Sequence, residues 1–193
     1  MSENENKESS YESDQTENQE HFNEDGLLKA REKYEVNGYN YETDSKGRIK
    51  HCEGDLRLED APRNLQAQAE AGGEDRRRGA EMDLDEDDVD DGGHLIATRF
   101  GGSGELDNIV AMNRNLNRGE YKHMENDWAN TLSEKNEKGE AANNVHVDIN
   151  CRYSGDSQRP DSITVRYQYI DRETNETYYE NTERFKNEPI GRR

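Results

Sequence analysis

The sequence predicts an α+β domain in which an antiparallel β-sheet packs against helices, and three patterns carry that prediction. Residues 144–153 (NVHVDINCRY), 162–170 (SITVRYQYI) and 177–185 (TYYENTERF) alternate with period two and are rich in Val, Ile, Thr and Tyr, as half-buried strands require. Tyr121, Met124, Trp128 and Leu132 fall at spacings of three, four and four, one face of a helix. Nearer the N-terminus, YNYET and RIKHC flank the turn sequence DSKG, so residues 39–52 read as a β-hairpin opened by Asp44 and closed by Gly47.

Taken in order, residues 1–25 are Glu-, Asn-, Ser- and Gln-rich with Tyr11 and Phe22 nearly alone as apolar groups. Such a segment cannot repay its ordering entropy, and a disordered acidic tail is expected, with His21 in it. The domain is then 26–193. Gly26–Tyr34 is short and amphipathic and reads as a helix before the hairpin. Residues 53–80 are mixed, with a helix near Arg63–Glu70 that Gly72 and Gly73 should end. Leu95, Ile96 and Ala97 form a brief apolar run closed by the glycine-rich loop FGGSGE, and the striped helix should start near Asn117. The three strands follow it.

The formal charge is -19 and the apolar set only 28%, well below globular composition even with glycine added. The acidity is local: residues 1–25 hold nine acids and one lysine, and EMDLDEDDVDD at 81–91 holds eight acids and no base. The remainder is close to neutral, which weakens the objection that an acidic protein is a poor binder of polyphosphate. No stretch approaches the ~18 apolar residues of a membrane span, and the N-terminus lacks the basic and apolar regions of a secretory signal. The expectation is no membrane contact, and a cytoplasmic protein or one secreted without a cleavable signal peptide. Cys52 and Cys151 have no zinc-binding spacing and read as reduced, buried hydrophobes.

The acidic run fails as a calcium loop. Counting from Asp83, the sixth position is Asp88 and the twelfth is His94, where glycine and glutamate are needed. No phosphate-cradling G-x-x-x-x-G-K-[ST] occurs, and neither Ser103 nor either cysteine sits in a nucleophile frame. His51, His123 and His146 read as exposed or structural. His94 is different. It follows two glycines and is trailed by asparagines at 108, 113, 115 and 117 and by Glu125 on the helix. Magnesium keeps most of its water and accepts one or two protein oxygens, and a neutral imidazole opposite can activate water. Those are the minimal parts of metal-assisted phosphodiester hydrolysis.

At these residues the sequence resembles the DNA/RNA non-specific endonucleases of the ββα-metal (His-Me finger) superfamily, most of all the branch used as nuclease domains of bacterial secreted toxins. The family's D-R-G-H motif corresponds to Asp91-Gly92-Gly93-His94, and its L-N-x-G helix start to Leu116-Asn117-Arg118-Gly119, continuing through Tyr121 to Glu125. The resemblance covers about residues 36–187 and is concentrated in 91–128. It implies a ββα finger and a Mg2+-dependent endonuclease, with Mn2+ as a substitute, cutting DNA and RNA to leave 5′-phosphate ends. It further implies that His94 is the general base, Asn117 the protein ligand of the metal, Glu125 a group acting through water, and Asn108 a residue that orders the site. Gly92 departs from the motif arginine, so another cation must meet the phosphate: Arg63 first, with Arg76 to Arg78, Arg99 and Arg118 as competitors. A toxin role adds an immunity or inhibitor protein as partner; the oligomeric state stays open. The rival reading is a catalytically lapsed or toxin-derived interaction module of the same fold that binds a partner through its acidic segments, with Gly92 and the net charge in its favour.

Overall fold

The computed structural model describes residues 20–82 and 90–188; residues 1–19 of the expected tail and 83–89 of the acidic run lie outside them. Strands β1 (Lys33–Val36), β2 (Tyr39–Thr43) and β3 (Ile49–Leu56) form an antiparallel meander. The expected hairpin is β2–β3. Asp44 Oδ1 accepts the backbone N–H groups of Lys46 (2.8 Å) and Arg48 (3.1 Å), an Asx turn that fixes the reversal, and Gly47 closes it at φ 73°. Strands β6 (Asn143–Arg152), β7 (Ser162–Asp171) and β8 (Thr177–Lys186) form a second meander, as their alternation predicts. The meanders join edge to edge through β3 and β6, giving a six-stranded sheet of order β1-β2-β3-β6-β7-β8.

The described segments between β3 and β6 in sequence build a unit that packs on one face of that sheet through its last helix. Helix α1 (Leu65–Met82) is followed by a two-stranded ribbon, β4 (Asp91–His94) and β5 (Ile109–Met112), then α2 (Arg114–Arg118) and α3 (Glu120–Ser133). The ribbon and the helix after it are a ββα finger. Tyr121, Met124, Trp128 and Leu132 are all buried, with Trp128 edge-on to Tyr167 at 5.6 Å and Tyr121 against Phe185 at 5.4 Å. The helical stripe thus covers the apolar side of the strands, whose alternate residues Val145, Val147, Ile149, Ile163 and Val165 are fully buried. Burying such side chains contributes about 1.5 to 3 kcal/mol each relative to exposure. Cys52 and Cys151 are buried free thiols in this layer; burial pushes the Cys151 thiol up to about 12.

The finger is pinned to the sheet by polar groups. Arg159 Nε lies 2.5 Å from Asp90 Oδ2 and its Nη2 lies 3.0 Å from Asp90 Oδ1, both side chains being buried. Asn187 donates to the Ala111 carbonyl (2.9 Å) and accepts from the Asn113 N–H (2.7 Å). The entry to β4 and the exit of β5 are therefore held by residues that follow β6 in the chain.

Three local expectations differ from the structure. Residues 26–34 are not helical: the Lys29 N–H bonds to His21 O and the Arg31 N–H to Asp44 O, so this segment runs as an extended strap over the hairpin turn. His21, placed in the tail from sequence, is buried and bonded through Nε2 to Asp107 Oδ2 at 3.0 Å, with its ring stacked on Tyr34. Helix α1, capped by Asn64 Oδ1 accepting from Gln66 and Ala67 N–H at 3.0 Å each, continues through Gly72 and Gly73 to Met82. Gly72 serves contact: a Cβ there would lie 2.7 Å from Asp90 O.

Candidate active site

Strand β4 is the D-G-G-H sequence itself, paired to β5 with His94 opposite Ile109 and Asp91 opposite Met112. Alternation puts Gly92 and His94 on one face and Asp91 and Gly93 on the other. After β5 the chain turns at Asn113, whose Oδ1 accepts from Asn115 N–H (2.8 Å) and Leu116 N–H (3.2 Å), an N-cap that starts α2. Asn117 therefore lies in the last turn of α2, not at the start of the long helix; Gly119 separates α2 from α3.

Asn117 is oriented by the motif aspartate. Its Nδ2 donates to Asp91 Oδ2 at 3.0 Å, and the same carboxylate takes Arg118 Nε at 2.7 Å and Nη2 at 2.9 Å. Burial pushes the Asp91 carboxyl up, but the bonds from Arg118 and Asn117 and the charges of Arg118 and Arg114 outweigh that, and it stays below the usual carboxylate range. With its amide committed, Asn117 presents its oxygen. A Cβ built on Gly93 would lie 2.8 Å from Met112 Cβ and 3.1 Å from Asn117 Oδ1, so glycine at 93 lets the Met112 and Asn117 side chains approach the strand closely. Sequence reasoning quoted Asp91 in the motif but gave it no role; its place in the motif was the available signal.

His94 Nε2 is buried with no hydrogen-bond partner among the described residues. Burial pushes the imidazole down to about 4, helped by the Arg63 charge, which keeps it uncharged at neutral pH. Glu125 reaches the site from α3, nearly buried. Burial pushes its carboxyl up to about 7, against the opposing charges of Arg99, Lys122 and Arg63. Arg63 acts on both His94 and Glu125, and its Nε donates to Thr98 Oγ1 at 3.2 Å. The candidate base, the candidate carboxylate and this arginine thus share one electrostatic neighbourhood. Arg99 bonds to Asn126 Oδ1 at 2.9 Å and stands 3.9 Å from Glu125. Arg118 is engaged with Asp91, while the side chains of Arg76 to Arg78 lie outside what the structure describes.

Gly92 has a steric reason. A Cβ there would lie 2.2 Å from Gln68 O and 2.6 Å from Gln68 Cα, because the backbone of α1 rests directly on β4. The motif arginine has no room in this chain.

Asn108 is fully buried behind the site. Its Oδ1 accepts from Ile96 N–H (3.1 Å) and Tyr41 OH (2.9 Å), and its Nδ2 donates to Ile96 O (2.8 Å) and Ser103 O (2.7 Å). It ties the loop that leaves His94 to the hairpin. Asn108→Ala would leave several of these groups unpaired at ~1 to 3 kcal/mol each, so a loss of about 3 to 5 kcal/mol is expected in urea unfolding.

A cavity of about 1200 Å3 opens elsewhere, lined by Leu28, Lys46, Arg48, Ala111 and Tyr153 among others. Its lining includes none of Arg63, His94, Arg99, Asn108, Asn117, Arg118 and Glu125.

Comparison with known proteins places this geometry. A family model for DNA/RNA non-specific endonuclease matches residues 30–171. The chain is 40% identical over 148 residues to the type VII secretion system protein EssD of Staphylococcus aureus strains USA300 and NCTC 8325, a match covering 73% of this chain. It spans only 22% of the length of those relatives. A solved structure of Sda1 nuclease with bound zinc ion shares the fold at a TM-score of 0.50 and 14% identity, over 79% of this chain and 76% of that one.

Proposed function

Because the chain belongs to the DNA/RNA non-specific endonuclease family, we propose that it is a Mg2+-dependent endonuclease hydrolysing phosphodiester bonds of DNA and RNA, with His94 as general base and Asn117 as the protein ligand of the metal. The observation that carries this is the presence, on one ββα finger, of a half-buried imidazole whose Nε2 has no partner among the described residues and of an asparagine whose amide is bonded to Asp91. The neutral imidazole accepts the proton of the attacking water as the new bond to phosphorus forms and the bond to the leaving oxygen breaks.

The donor set suits magnesium. Asn117 offers one hard oxygen and Asp91 is spent on Arg118 and Asn117, so the protein supplies few ligands, as suits an ion that keeps several of its waters. Mn2+ fits the same oxygen. Bound there, the ion would act as a Lewis acid on the phosphate and stabilise the leaving oxygen, leaving a 5′-phosphate end. Glu125, once ionised, holds water in position rather than touching the metal, and Arg63 provides the positive charge that the motif arginine would have brought.

Asn117→Ala should raise the magnesium concentration for half-activity by more than tenfold, with partial rescue at high magnesium. Asp91→Ala, which frees the Asn117 amide and releases Arg118, should cost roughly ten- to a hundredfold in metal affinity. Plasmid nicking across a magnesium titration measures both, and an Asn117→Ala enzyme with unchanged magnesium dependence would move the metal elsewhere. The similarity to a type VII secretion system protein supports export without a cleavable signal peptide, and a toxin role in turn supports an inhibitor protein as partner. The departure at Gly92 favours the second reading, a lapsed nuclease retained as an interaction module; wild-type protein that cuts neither DNA nor RNA with magnesium present would decide for it.

A further inference from the structure

The outer face of the sheet carries a second constellation, far from the finger in the fold because the finger lies on the inner face. Along β3 the outward residues are His51, Glu53 and Asp55, and along β6 they are His146, Asp148 and Asn150. The register sets Glu53 directly opposite Asp148, His51 opposite Asn150 and Asp55 opposite His146. Two carboxylates face to face on adjacent strands repel. Among the described residues neither forms an ion pair with lysine or arginine, although Arg166 stands next to Asp148 on β7. The only group drawn to both is His51, whose Nε2 lies 3.3 Å from Asp148 Oδ1 and 4.0 Å from Glu53 Oε2.

Those separations are long for charge-assisted hydrogen bonds. They suit metal ligands better. In a tetrahedral zinc site with bonds of ~2.0 to 2.2 Å, neighbouring donor atoms stand roughly 3.3 Å apart. The His51–Asp148 spacing already has that value, and the three donor atoms all lie within 4.8 Å of one another. The Asn150 amide donates to Asp148 Oδ1, the same oxygen that faces His51, and steadies that carboxylate. His51 and Asp148 are half-buried on strands of the central seam, so little ordering remains to be done when an ion enters.

The geometry points to a binding site for a divalent transition ion, zinc above all, formed by His51, Glu53 and Asp148 with water in the fourth position. One imidazole nitrogen and two carboxylate oxygens select zinc, cobalt or nickel over magnesium, and two carboxylates balance the ion's charge. An ion there would clasp β3 to β6, the seam between the two meanders, and be structural: its residues lie on the face of the sheet opposite the finger.

The test is calorimetric titration of the full chain, stripped of metal, with zinc chloride in the presence of millimolar magnesium. It is done in an Asn117→Ala background so that the finger contributes no metal ligand. One zinc should bind, and adding His51→Ala or Asp148→Asn should weaken binding at least tenfold. His146→Ala, one step along the same face, should leave it unchanged. Zinc should raise the urea midpoint of the Asn117→Ala chain and not that of the double variant with His51→Ala. Zinc binding that is absent in the Asn117→Ala background, or equally tight with and without His51, would overturn the site whether or not the protein proves to be a nuclease.

Discussion

Replacing His94 with alanine should lower the cleavage rate by about 10²- to 10⁴-fold, the usual contribution of a positioned proton acceptor, while nucleic-acid affinity and unfolding midpoint stay near wild type. The pH dependence is the sharper test. From sequence alone the rate would decline as pH falls through ~6.5, the ordinary histidine value. In the fold, burial and the Arg63 charge push His94 down to about 4, so the base stays neutral well below pH 6. An acidic limb above pH 5 should instead belong to Glu125, whose carboxyl burial pushes up to about 7 and which a nearby cation would pull back toward the ordinary value. Glu125→Gln should flatten that limb and leave the one near pH 4. A limb near 6.5 that persists in Glu125→Gln would return it to His94. The depressed histidine also carries a stability cost with a fixed sign. Below ~6.5 the unfolded chain takes up a proton that the folded chain refuses until about 4, so this residue's share of stability, whole above that window, is lost as pH falls through it.

Gly92→Arg, which would restore the family motif, should damage the protein rather than improve it. The Cβ alone would stand 2.2 Å from Gln68 O, and the obstacle is helix backbone that cannot rotate away. Overpacking of this kind costs about 1 to 3 kcal/mol and sometimes more; the upper end is expected, since α1 must lift from β4. Gly92→Ala should lose most of the same stability, since the clash begins at Cβ. Thermal unfolding and nicking assays on the two variants would show this. An arginine variant with wild-type stability and raised turnover would mean that α1 yields readily and that the missing guanidinium limits the enzyme.

What could be read beforehand followed the range of the interactions involved. The hairpin at 39–52, the three C-terminal strands and the stripe from Tyr121 to Leu132 were legible because period and turn chemistry are local. Gly72 was misread because a helix-breaking propensity and a close helix–strand contact look identical in sequence; only the arrival of Asp90 O distinguishes them. The strap at 26–34 has helix-like spacing but takes its hydrogen bonds from His21 and Asp44. Within the site, the motif named His94, Asn117 and Glu125. The Asp91 bond that aims Asn117, and the Arg159–Asp90 pair that anchors β4, depend on partners 26 and 69 residues away, which no local pattern encodes.

The seam between β3 and β6 also governs the order in which the molecule can assemble. Each meander closes through nearest-neighbour hairpins, which form in microseconds. Asp55 and His146 meet across the seam from positions 91 residues apart, and closing so long a loop is slow compared with local pairing. Between those positions lie His94, Asn117 and Glu125, and the polar anchors of the finger, Arg159 and Asn187, come from the later meander. A refolding chain is therefore expected to form both halves of its scaffold before the candidate site, whose residues come together only with the long-range contacts.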